Sequence, residues 1–127
     1  MKILVVDDEA DVQTLFQQRF RREIRNGSVN LMFATNGFDA LAVLNKNGQD
    51  IRLVLSDINM PGMNGIDLLK RIKTVETDPT PDVIMITAYG DEENRNQCKN
   101  LGAENLLSKP LDFNALKELI TQKETKS

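Results

Sequence analysis

Asp7, Asp8, Asp57, Thr87 and Lys109 are the residues whose types and placement could do chemistry together. Each stands at the end of a short apolar run: Asp7-Asp8 after Ile3 to Val6, Asp57 after Leu53 to Leu55, Thr87 after Val83 to Ile86, and Ser108-Lys109 after Leu106-Leu107. If those runs are parallel strands, their carboxyl ends share one edge, and open parallel sheets bind ligands at that edge where the strand order reverses. Carboxylates gathered there repel by roughly 4 kcal/mol per close pair at an effective dielectric of about 20, so they require a countercharge. Oxygen-only ligands select a hard cation, and Mg2+ accepts a few carboxylates while keeping waters and a phosphate oxygen. Lys109 is a mobile point charge suited to a phosphoryl oxygen, and Thr87 offers a hydroxyl donor. Together these groups fit an in-line phosphoryl transfer.

The elements that must position them follow from the apolar pattern. Strand-length runs recur at Ile3 to Val6, Val29 to Ala34, Leu53 to Leu55, Val83 to Ile86 and Leu106-Leu107, with helical patterns between and after them. Val12, Leu15, Phe16, Phe20 and Ile24 fall at three-to-four-residue spacing and predict one apolar helix face; Phe38, Leu41, Leu44, then Ile66, Leu69, Ile72, then Phe113, Leu116, Leu119, Ile120 predict three more. Asn36, Asn64, Asp91 and Asp112 are good N-cap types where helices should begin. The fourth helical segment, Asp91 to Asn100, offers little apolar surface beyond Cys98 and should pack loosely, with Gly102 ending it. Five strands alternating with five helices argue for an α/β domain with a parallel sheet covered on both faces. The stretch from Thr121 is polar, a frayed end or the start of a linker, and the domain itself is placed at residues 1 to 122 with a tail over 123 to 127.

Composition narrows the chemistry further. At 127 residues the chain fits one compact domain, and a net charge of -3 gives no broad electrostatic reason to bind nucleic acid. The absence of histidine excludes Ser-His, Cys-His and His-metal mechanisms, and the single cysteine, Cys98, excludes an intrachain disulfide and suits a reducing compartment. The apolar run before Asp7 is too short for a signal peptide or membrane span, so a cytoplasmic protein without membrane contact is expected.

With LVVDDE, DINMPGMNG, ITAYG and LLSKP in this order, the sequence resembles the receiver domain of two-component response regulators over nearly its whole length. The resemblance implies a (βα)5 flavodoxin-like three-layer sandwich with a parallel sheet in the order 2-1-3-4-5. It implies that Asp57 is the phosphoacceptor and that Mg2+ is held by Asp7, Asp8, Asp57 and the backbone carbonyl of Asn59. Thr87, Ala88 and Lys109 become the phosphate-binding and switch residues with Tyr89 as switch aromatic, and the Lys109–Pro110 peptide becomes cis. A sensor histidine kinase or histidine phosphotransfer protein is the implied partner, and the face of the fourth helix, fifth strand and fifth helix is the implied readout. The domain would catalyse only its own phosphorylation and dephosphorylation, so it is not an enzyme in the ordinary sense. The output or effector, and whether the chain forms a weak homodimer, stay open.

Plainer readings compete residue by residue. Asp7, Asp8 and Glu9 could be a solvated acidic turn at a helix start, Thr87 and Tyr89 a β-prone strand end, Lys109 a connector before proline, and Asn59 a turn former. Met60 and Met63 are most simply loop packing, and Cys98 inert. For Asp7, Asp8 and Glu9 the convergence of acids at adjacent strand ends outweighs the plainer reading. A phosphatase of the haloacid-dehalogenase type would want a second acid after Asp57, where Asp57-Ile58-Asn59-Met60 has none. A flavodoxin-like flavin protein would want a Ser/Thr/Gly phosphate loop where Asp7-Asp8-Glu9 stands. A pseudo-receiver that only docks partners is the third rival.

Overall fold

A computed structural model describes residues 1–47, 50–74, 80–88 and 92–125. Strands β1 (Lys2–Val6), β2 (Asn30–Ala34), β3 (Ile51–Asp57), β4 (Asp82–Thr87) and β5 (Asn105–Ser108) form one parallel sheet in the order β2-β1-β3-β4-β5. Their side chains alternate between two cores, as a pleat requires. Ile3, Val5, Leu53, Leu55, Ile84 and Ile86 pack against Phe16, Leu116 and Ile120, while Leu4, Val6, Val54, Val83 and Met85 pack against Ala40, Leu68, Leu69, Ile72 and Cys98. Near-continuous apolar strands are therefore the mark of a sheet with helices on both faces, the expected three-layer arrangement. β3 starts two residues before the expected Leu53, where a register shift sets Lys2 opposite Ile51 and Ile3 opposite Leu53.

There are six helices among the described residues: α1 (Ala10–Arg19), α2 (Arg21–Arg25), α3 (Gly37–Asn47), α4 (Gly65–Thr74), α5 (Glu92–Asn100) and α6 (Phe113–Thr125). The first expected helix is two because the chain breaks at Phe20, with φ -102° and ψ 17°. That residue is 1% exposed, stacks on Phe16 at 5.9 Å between centroids and meets Phe113 edge-on at 6.2 Å. Aromatic packing of this kind, worth about 0.5–1.5 kcal/mol per pair beyond burial, holds the break in place. Leu15 and Ile24, counted on the inward face by spacing, lie partly in solvent instead.

α3 also departs from expectation. Gly37 and Ala40 are buried, whereas Phe38 is 63% exposed. The cause is the close seat of Gly37 against Met63, where a Cβ on the glycine would lie 2.7 Å from the sulfur. The small residues face inward and turn Phe38 out. α5 behaves as its composition predicts, since Cys98 is its one buried side chain. It ends at Gly102, φ +95°, through N–H donation from Gly102 to the Lys99 carbonyl and from Ala103 to the Cys98 carbonyl, a Schellman closure. α6 runs on to Thr125, through the stretch from Thr121 that reads as a polar tail.

Side-chain caps sit where the sequence places them. Asn36 accepts from Asp39 N–H at 2.8 Å, Asn64 from Asp67 N–H at 2.9 Å, and Asp112 from the N–H groups of Asn114 and Ala115. The cap expected of Asp91 lies outside the described residues. Because Asp112 satisfies two orphan donors of α6, Asp112→Ala is expected to cost about 1 kcal/mol, read as a lower urea midpoint at unchanged slope.

Candidate functional site

The sheet register determines which polar residues meet. Val6 pairs with Ser56, so Asp7, one residue on, stands beside Asp57 at the end of the neighbouring strand. Parallel strands lie about 4.8 Å apart, close enough for the carboxylates to touch. β1 lies between β2 and β3, so the chain leaves it for a neighbour on either side, and this is the point where the strand order reverses. Asp57 pairs with Ile86, which puts Thr87 just beyond the acceptor strand, and Thr87 pairs with Ser108 so that Lys109 follows. The Lys109 N–H donates to the Thr87 carbonyl at 2.8 Å.

The carboxylates are held in the same way. Asp7 Oδ1 accepts from Glu9 N–H at 2.9 Å, and Asp57 Oδ1 accepts from Asn59 N–H at 3.2 Å. These turns, each closed on the backbone two residues ahead, orient both side chains. The second oxygen of each faces Lys109, whose Nζ lies 3.1 Å from Asp57 Oδ2 and 3.6 Å from Asp7 Oδ2. The Lys109–Pro110 peptide is cis. Asp7, Asp57 and Thr87 are buried, while Asp8, Asn59 and Ala88 are exposed. Tyr89 lies outside the described residues.

One oxygen from each of Asp7, Asp8 and Asp57 falls in a group whose members are all within 4.8 Å of one another. Three carboxylates and a single lysine leave an excess of negative charge, and the donor set is all oxygen, so the residues fit a hard divalent cation such as Mg2+. Burial, the largest influence on Asp7, raises its pKa above the usual carboxylate value, against the Glu9 N–H and Lys109, which lower it. Burial works to lower the Lys109 pKa, but the hydrogen bond and charge of Asp57, with Asp7 and Glu9 behind them, outweigh it and raise the value. Lys109 therefore stays cationic.

The raised Asp7 value has a sign for stability. A carboxyl whose folded pKa lies above its unfolded one favours the fold most at low pH, and that contribution is lost as pH rises through the folded value. In metal-free buffer, Asp7→Asn is expected to melt above the wild type at neutral pH, with the gap shrinking as pH falls to about 3, below the ordinary aspartate value. A wild type that melts higher throughout would contradict the assignment.

Gly65, the first residue of α4, belongs to the site although its chemistry is only that of the backbone. A Cβ there would lie 2.2 Å from the Asp57 carbonyl oxygen and 2.8 Å from Ile58 Cα. The sequence shows the glycine in MPGMNG but not what it approaches; its one signal is a poor helix former just inside a helix, after the Asn64 cap. The thiol of Cys98 is buried far along another helix, and burial pushes its pKa up, in keeping with an inert residue.

A doubly wound α/β sheet with an acidic cup and a lysine at its switch point is thus what fold and geometry define. The chain matches the response regulator receiver domain family over residues 3–121, and it belongs to that family. It is 36% identical over 119 residues to sporulation initiation phosphotransferase F of Bacillus subtilis, covering 94% of this chain and 90% of that protein. It is 38% identical over 123 residues to the sensor histidine kinase RcsC of Escherichia coli, covering 95% of this chain but only 12% of the kinase. A response regulator receiver domain protein from Clostridium thermocellum superposes with a TM-score of 0.82 at 27% identity, covering 99% of this chain and 98% of that one. The phosphatase and flavin-protein readings end with this assignment. Among the described residues no helix is long and apolar enough to cross a membrane.

Proposed function

We propose that this domain accepts a phosphoryl group on Asp57 from a histidine kinase or histidine phosphotransfer protein and uses it to switch the surface of α5, β5 and α6. The observation that carries the reading is the contact of Lys109 with Asp57 inside a group of three carboxylates. Asp7, Asp8, Asp57 and the backbone carbonyl of Asn59 would hold Mg2+, whose charge offsets both the carboxylates and the incoming phosphoryl oxygens.

An Asp57 side-chain oxygen forms a bond to phosphorus as the donor's P–N bond breaks; the imidazole leaves with that electron pair, and Asp57 becomes a mixed anhydride. Asp57 is already aimed by the Asn59 N–H, so little reorganisation precedes attack. Lys109 then moves its contact from the carboxylate to a phosphoryl oxygen. The new dianion draws in the Thr87 hydroxyl and the Ala88 backbone, and Tyr89 follows Thr87. Converting a 1:99 equilibrium to 99:1 needs about 5.5 kcal/mol, which two or three charge-assisted contacts approach. α5, with Cys98 alone buried, is the least anchored helix on that face. The domain catalyses only its own phosphorylation and dephosphorylation, it works in the cytoplasm, and it passes its state to an output or effector.

Incubation with acetyl phosphate and Mg2+ should add one phosphoryl group that base removes and peptide mapping places at Asp57, and a chelator should prevent it. A wild-type chain that takes no label under these conditions would instead be a member that only docks partners.

A further inference from the structure

We infer that Phe38, with the Pro61-Gly62 turn beside it, is an apolar landing on the rim of the phosphorylation crevice for the protein that carries the phosphohistidine. This rests on the function proposed above. Phe38 is 63% exposed, the most of any large hydrophobic side chain among the described residues. It lies in the first turn of α3, directly after β2, and so on the carboxyl edge of the sheet where Asp57 also ends its strand. It leans over the loop that follows the acceptor: a Cβ on Gly62 would sit 3.9 Å from Phe38 Cε2, and Gly37 is wedged against Met63 of the same loop.

Pro61 and Gly62 are exposed, and Met60 and Met63 are buried beneath them. An aromatic ring over a glycine turn, backed by two methionines, is a firm apolar surface. Asp8, Glu9, Thr35 and Asn59 elsewhere on this edge are exposed and acidic or polar. Glu9 adds negative charge beyond the carboxylates that Mg2+ would offset, so contacts that are not charge-based strengthen the hold on a phosphoryl-bearing donor at this edge. Asp57 is only 5% exposed, so the donor imidazole must enter the crevice and bring its own protein surface down to the rim. Exposed aromatic side chains at such contacts are frequent anchors. A small phosphodonor needs no rim.

The test compares two donors. Purified, autophosphorylated sensor histidine kinases are profiled for transfer to the wild-type chain, and the one that transfers fastest is used with each variant. Phe38→Ala should lower kcat/KM for that transfer by roughly tenfold, mainly through KM, the fold-change expected of one lost anchor. Its labelling by acetyl phosphate should be unchanged. Ile24→Ala removes another exposed apolar side chain, one close to Ser28 and Met1 at the opposite edge, and should change neither rate. Equal kinase transfer to Phe38→Ala and wild type would overturn the landing, and so would an equal loss with both donors, which would mean that Phe38 acts through the site itself. Failure of acetyl phosphate to label the wild type would instead overturn the proposed acceptor function.

Discussion

Asp57→Asn is expected to reduce phosphoryl incorporation from acetyl phosphate to background while leaving the fold intact. An amide oxygen is a far poorer nucleophile than a carboxylate oxygen, so the bond to phosphorus does not form at a useful rate. The substitution is nearly isosteric, so Asn59 N–H keeps an acceptor at the side-chain oxygen, and Lys109 keeps its contact with Asp7 at 3.6 Å. Removing one charge from a repelling group should also leave the metal-free protein at least as stable as the wild type. Thermal melting and intact-mass measurement on the same sample separate these effects. Label appearing on Asp8, whose oxygen belongs to the same group, would show that the site tolerates a second acceptor; label at the wild-type rate would remove Asp57 from the role.

The site was more legible in the sequence than the helices that surround it. Strand ends are marked in the chain where an apolar run gives way to acid, directly at Val6-Asp7 and across Ser56 between Leu55 and Asp57, and a parallel sheet carries those ends to one edge whatever the details of the helices. The order β2-β1-β3-β4-β5 came from resemblance to the family; spacing alone shows only that strands and helices alternate. Periodicity failed where backbone and packing override it. The series Val12, Phe16, Phe20 continues smoothly into Ile24, so nothing in the pattern announces a break, yet the stacking of Phe20 on Phe16 and its edge contact with Phe113 create one. Phe113 is distant in sequence and enters only through the tertiary fold. Phe38 looked like a core residue because Leu41 and Leu44 follow at helical spacing. It is exposed because Gly37 and Ala40 take the inward position, with Gly37 seated on Met63, a contact between the first turn of α3 and the loop after β3 that no local window contains. Lys109 illustrates the reverse case: its type and its place after β5 were enough to put its ammonium against Asp57.

Gly65→Ala is expected to destabilise the domain by about 3 kcal/mol or more, the upper end of what overpacking produces, and to slow phosphorylation of the molecules that remain folded. Gly65 does not have a positive φ, so the loss would not come from a left-handed backbone. It would come from space: the added methyl would meet the Asp57 carbonyl oxygen at 2.2 Å and Ile58 Cα at 2.8 Å, both backbone atoms, together with Met85 Cε at 2.8 Å, which can move aside. Gly65 N–H also donates to the Ile58 carbonyl at 2.8 Å, so α4 cannot back away without breaking the bond that joins it to the acceptor strand. The strand end must shift instead, and the carboxylate aimed by Asn59 shifts with it. Gly62→Ala is the control, because Gly62 has φ +78° and only the edge of Phe38 within 4 Å of a Cβ. It should cost roughly 1–2 kcal/mol from the left-handed backbone and leave Asp57 where it is. Urea midpoints and acetyl phosphate rates for the two variants decide between steric and conformational causes. If Gly65→Ala unfolded at the wild-type midpoint and took label at the wild-type rate, the close approach of α4 to the acceptor would not constrain the site.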